Sequence, residues 1–139
     1  MSRIRVLTAG FALLAAPVAA GSKAADYLVR EQIAEACAGQ PGRIDPATVI
    51  ERDLTGDGKA DLIISHEGIT CSGGGRSQMC GMQVCSVMIY VREGALLKLA
   101  VGDRLGGGVT VGDGAIPAIS MHGHGGARGS LRWNGSAFR

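Results

Sequence analysis

Residues 53–61, Asp-Leu-Thr-Gly-Asp-Gly-Lys-Ala-Asp (DLTGDGKAD), decide how this chain is read, because their spacing implies a tight hairpin and a cation at once. Asp53, Thr55 and Asp57 stand at alternate positions, Gly58 follows for a sharp turn, and Asp61 closes the series, so several oxygens can converge on one hard ion. With the carbonyl of Lys59 added, these residues offer nearly a full calcium shell, and calcium is the expected ligand. The twelfth position of the loop is Ile64, where an EF-hand needs a bidentate Glu, so a helix-loop-helix site is excluded. Residues 48–52 and 62–65 read as strands, which makes the loop a hairpin tip. The competing reading has no ion: Asp and Gly form Asx turns and hold the hairpin by themselves. Bound calcium would be structural and weak, on the order of 0.1 to 1 mM, and would relieve repulsion among the carboxylates.

Outward from the loop, only residues 24–38 read as a good helix. Tyr27, Leu28, Ile33, Ala34 and Cys37 fall near one face, Arg30, Glu31 and Glu35 on another, and Gly39 with Pro41 ends it. Residues 40–46 are turn-rich and read as a connector. Residues 67–81 form a glycine-rich loop between cysteines, with too few large apolar groups to offset chain entropy unaided. Residues 84–91 are the strongest strand. Arg92, Glu93 and Gly94 turn it into residues 95–101. Six glycines across residues 102–114 predict only a short, weakly registered strand there. Residues 118–121 are a further short strand, and 129–138, with Trp133, Asn134 and Gly135, suit a final strand, turn and strand. The expected fold class is α+β: an N-terminal helix packed on an antiparallel sheet of successive hairpins, one domain over residues 21–139.

Residues 1–20 read as a signal peptide. Arg3 and Arg5 supply the positive start, residues 6–16 the apolar run, and Val18, Ala19 and Ala20 the cleavage region; an uncleaved anchor is the alternative. Without Arg3 and Arg5 the chain has 12 basic and 12 acidic residues, so no nucleic-acid partner is implied, and no stable membrane span remains after cleavage. The balance is uneven: residues 21–70 carry 5 basic and 9 acidic groups, residues 71–139 carry 7 and 3. An acidic first half suits a cation. A mildly basic second half suits an acidic partner or ordinary solvated surface. Cys37, Cys71, Cys80 and Cys85 are an even set in an exported chain, which points to two disulfides rather than zinc. Three connectivities exist. Closeness in sequence leans to Cys80 with Cys85, which leaves Cys37 with Cys71, a bridge that would tie the opening helix to the sheet.

The stretch DLTGDGKADLIIS resembles the calcium loop of FG-GAP and integrin-type repeats, in which the metal braces a hairpin. More broadly, the loop and strand, then Cys71, Cys80 with Gly81, Cys85 with residues 87–91, and Trp133 with Gly135 and Phe138, are similar to a group of small uncharacterised exported bacterial proteins. That group implies no activity. Its cysteines around residues 125–131 are absent here.

Other residues carry weaker signals. His122 and His124 are a partial transition-metal site without a third ligand, and a solvated glycine-rich loop is the plainer account. His66 with Glu67 reads as surface polarity rather than acid and base. Ser65 and Ser86 lack a nucleophile's setting, and Gly106, Gly107 and Gly108 lack the Lys and helix of a phosphate loop. Tyr27, Tyr90 and Trp133 are expected mostly in the core. Arg76, Arg128, Arg132 and Arg139 are candidates to meet acidic groups of a partner. The expectation is a non-enzymatic periplasmic or secreted domain with a structural or protein-binding role. The alternative is an inhibitor or immunity-type protein that inserts a glycine-rich loop, from residues 71–85 or 122–129, into an exported enzyme. A hydrolase is the least supported reading, because no nucleophile, base and orienting group can be named together.

Overall fold

The computed structural model describes residues 21–139; the expected leader lies outside the described residues. The first element among the described residues is helix α1 (Lys23–Ala36). Ser22 caps it by accepting from the Ala25 N–H, and the turn through Ala38 and Gly39, both at positive φ, ends it two residues earlier than expected. Its buried face runs through Ala25, Gln32 and Ala36, with Leu28, Val29 and Ile33 beside them. Tyr27 and Ala34 were expected there, but both are exposed; the Tyr27 hydroxyl reaches Glu31 one turn on instead.

Two antiparallel sheets follow. A small one pairs β1 (Gly42–Ile44) with β4 (Ile69–Cys71), both inside segments read as connector and loop. The main sheet has the order β2-β3-β5-β6-β7-β8, with β2 (Val49–Arg52), β3 (Asp61–Ser65), β5 (Cys85–Glu93), β6 (Leu96–Val111), β7 (Ile119–His122) and β8 (Arg128–Leu131). The helix and this sheet of hairpins make the fold α+β. Residues 102–111 depart from expectation, for β6 continues through the glycines for 16 residues. Register shifts opposite residues 87–90 and between Gly107 and Thr110 mark where it bends.

Alternation along β3 and β5 sends side chains to two faces. Leu62, Ile64 and Tyr90, with Met88 and Leu97, meet the helix. On the opposite face Ile63, Val87 and Ile89 pack with Ile119, Met121 and Leu131 of β7 and β8, and with Leu54 and Phe138. Strands far apart in the ladder thus share one core. The sheet coils at the β6 bends until β7 and β8 cover β3 and β5. Gly106 and Gly107 permit that closeness, since a Cβ would lie 2.6 Å from Met121 Sδ at the first and 2.6 Å from His122 Nε2 at the second. Tyr90 is in the core and Trp133 half-buried against it, stacked at a tilt on Phe138.

The disulfides are Cys37–Cys71, joining the end of α1 to β4, and Cys80–Cys85, closing the loop that leads into β5.

Candidate functional site

The loop between β2 and β3 is closed by its own backbone. Asp53 Oδ1 accepts from the N–H groups of Thr55 (3.1 Å) and Gly56 (2.8 Å), and Oδ2 accepts from Gly58 (2.7 Å). Gly56 and Gly58 take φ of +82° and +81°, values that suit glycine alone at no cost. Burial raises the Asp53 pKa, but the N–H donors of Gly58, Gly56, Thr55 and Asp57 outweigh it and hold the carboxyl below its usual range. Asp57 Oδ1 accepts from Lys59 N–H at 2.9 Å.

Asp61 has a different task. Its carboxylate is fully buried, with Oδ2 accepting from Leu54 N–H and Oδ1 from Arg92 N–H, each at 2.8 Å. It clasps the start of the loop to β5. Arg92 extends the clasp: its Nε donates to Ala60 O, and one Nη donates to Ser22 Oγ and lies 3.6 Å from Glu51. Among the described residues no group of three or more His, Cys, Asp or Glu side chains gathers closely enough to hold a metal. Of the five residues expected as ligands, Asp53, Thr55, Asp57 and Lys59 lie in the loop and Asp61 opens β3. One atom there is left over: Thr55 Oγ1 is shielded from solvent and has no hydrogen-bond partner.

His66 is the main surprise. Expected at the surface, it is fully buried, with Nε2 2.7 Å from Gln32 Oε1 on α1 and Nδ1 2.8 Å from Ser77 Oγ. The Gln32 amide nitrogen faces Glu35, so its oxygen accepts from His66 Nε2–H, leaving Nδ1 to accept the Ser77 hydroxyl proton. Ser77 Oγ in turn accepts from Met79 N–H. A hydroxyl, an imidazole and an orienting amide stand in the order used for nucleophilic catalysis, but Ser77 and His66 are both buried, and the chain of bonds joins helix, sheet and disulfide loop. Burial lowers the His66 pKa, opposed in part by the charge of Glu35, so the ring is neutral near pH 7. No sequence signal pointed here, since Gln32, His66 and Ser77 are far apart along the chain.

The remaining candidates are dispersed. His122 lies at the end of β7 over Gly107 and Gly108, where the Gly108 N–H donates to the Glu67 carboxylate; His124 sits in the β7–β8 turn. Ser65 and Ser86 are buried. Arg76 braces the disulfide loop by donating to Gly81 O, and Arg132 donates to Ile116 O. Arg128 and Arg139, with Arg104, line one cavity of about 300 Å³. Comparison with protein-family models, with curated proteins and with solved structures finds no match for this chain.

Proposed function

We propose that this protein is an exported, non-enzymatic domain that binds a protein partner in the cell envelope. The observation that carries this reading is the apolar surface left in solvent where α1 meets the β5–β6 turn. Tyr27 is 54% exposed and Leu96 67% exposed, and they line one cavity of about 390 Å³ with Leu28 and Leu97. Leu99, opposite Tyr90 on the helix-side face, is also more than half exposed. Clustered apolar side chains of this size mark contact surfaces. Two closed disulfides suit an oxidising compartment, and no helix among the described residues is long and apolar enough to cross a membrane. The sealed Gln32–His66–Ser77 chain supports a structural use of this Ser-His pair.

The test is a photo-crosslinking residue at Leu99, with the same residue at exposed Asp113 as control, in cells that export the protein. A discrete protein adduct at Leu99 alone is expected. Equal labelling at both positions, or none, refutes the reading.

A second reading adds calcium to the loop, and Thr55 Oγ1 is the observation that favours it: a shielded oxygen without a partner at the third position of the motif. The lone pairs left on Asp53 and Asp57 support it, while the backbone donors already on Asp53, Asp57 and Asp61 oppose it. Millimolar calcium against EDTA should raise the Tm of the parent protein and not of Asp57→Ala. An unchanged Tm leaves the Asx-turn hairpin as the full account.

A further inference from the structure

The outer edge of β8 carries the inference. In the β7–β8 hairpin the Gly123 N–H donates to Ala127 O, so the inward-bonded pairs that alternate from there fall at Met121 with Gly129 and Ile119 with Leu131. Arg128 and Ser130 therefore aim their backbone N–H and C=O away from β7. The same alternation directs Arg132 outward, and there the edge is already used: Arg132 and Arg139 exchange both backbone hydrogen bonds, followed by a bridge from Trp133 to Phe138. Among the described residues nothing pairs with the edge at Arg128 and Ser130, and both are exposed. β8 is short and carries the charge of Arg128, but it has no Pro and no register shift that would close the edge to a further strand.

The charged side chains beside this edge have one sign. Arg104, Arg128 and Arg139 line the cavity of about 300 Å³, and its other lining residues are Gly, Ala, Ser, Leu and Met, with no acidic side chain. Among the described residues the ion pairs are Arg92 with Glu51 and Lys98 with Glu93, so none of the three guanidiniums is neutralised by a carboxylate side chain. An open strand edge supplies backbone affinity, and flanking arginines select for carboxylates.

We infer that the β8 edge takes up an extended acidic peptide segment of a protein partner as an added strand, paired with Arg128 and Ser130, with its carboxylates against Arg104, Arg128 and Arg139. This rests on the partner-binding reading above. The added strand continues the line begun by Arg139 opposite Arg132. Alternate side chains of the peptide point toward the arginine-lined cavity, so an acidic residue at every second position is the preferred pattern.

The experiment titrates oxidised protein with a fluorescein-labelled alternating Glu-Val octapeptide by anisotropy, with a Gln-Val octapeptide and inorganic polyphosphate as comparisons. Saturable binding of Glu-Val is expected, weakened about tenfold by Arg104→Gln, since one charged contact is lost, and abolished by Ser130→Pro. Proline at position 130 removes an outward N–H that makes no bond within the fold, so the variant keeps the parent's melting curve. Amide exchange at Arg128 and Ser130 should slow in the complex. Equal binding of Gln-Val, displacement of Glu-Val by polyphosphate at equal charge, binding that survives Ser130→Pro, or no binding at 1 mM peptide each overturns the inference. A failed titration alongside a Leu99 adduct removes this edge alone; absence of the adduct removes the partner-binding reading itself.

Discussion

Replacing Asp61 separates a backbone clasp from a cation ligand. Asp61→Ala strands the buried N–H of Leu54 and the partly buried N–H of Arg92, each now 2.8 Å from a carboxylate oxygen. An unsatisfied buried donor costs about 1–3 kcal/mol, so two cost about 4 kcal/mol together. Residues 21–139 at ~2.1 cal/mol/K each give an unfolding entropy of about 0.25 kcal/mol/K, so the Tm should fall by about 16 °C. Asp61→Asn, which keeps one acceptor, should lose about half as much. The assay is urea unfolding of the oxidised protein in EDTA, followed by Trp133 fluorescence, with Asp57→Ala as the control. Asp57 is exposed and makes one local bond, so its loss should cost less than about 0.5 kcal/mol. If Asp61→Ala in EDTA falls within 1 kcal/mol of the parent, the clasp is refuted, and Asp61 matters only through an ion.

Two further predictions concern the disulfide-bound half. The folded-state pKa of His66 is lowered, so its contribution is fully present above the unfolded value of about 6.5 and is lost as pH falls toward the folded value, at no more than about 1.4 kcal/mol per pH unit. Urea midpoints of parent and His66→Gln between pH 8 and 5 should therefore converge on acidification; parallel curves would show that His66 does not titrate on unfolding. For the disulfides, loop lengths set by separations of 34 and 5 residues give about 3.8 kcal/mol for Cys37–Cys71 and about 2 kcal/mol for Cys80–Cys85 from chain entropy. The paired Cys→Ala variants should rank in that order in chemical denaturation, and the reverse order would rule out loop entropy as the cause.

What could be read from the chain was local. Leu62, Ile63 and Ile64, or the run from Val87 to Val91, are apolar on both faces because the sheet is covered twice, and such runs announce strands without help. The hairpin tip was equally plain, since Asp53 bonds to residues two, three and five positions on. What escaped depended on distance. β1 and β4 are three residues each and gain their identity from one another and from Cys37–Cys71. The glycines of β6 read as a weak strand, yet they are the residues that let Met121 and His122 approach, a condition set by β7. Gln32 looks like a solvated helix residue until His66 comes to rest against it. Whether Asp53, Asp57 and Asp61 would converge was equally a matter of three dimensions. In the fold, Asp61 accepts from the amides of Leu54 and Arg92, residues that lie 7 and 31 positions away.

The ring closed by Cys80 and Cys85 has a topological consequence. Met82, at its tip, is 94% exposed, and the ring is tied across its neck by the Gly81 N–H to Val84 O bond. A peptide bond cut beside Met82 leaves both halves of the chain joined through sulfur, so a nicked molecule keeps its connectivity and falls into two pieces only on reduction. The tip is accordingly the place where the polypeptide tolerates a break, a label or an inserted segment without losing the continuity that the core requires.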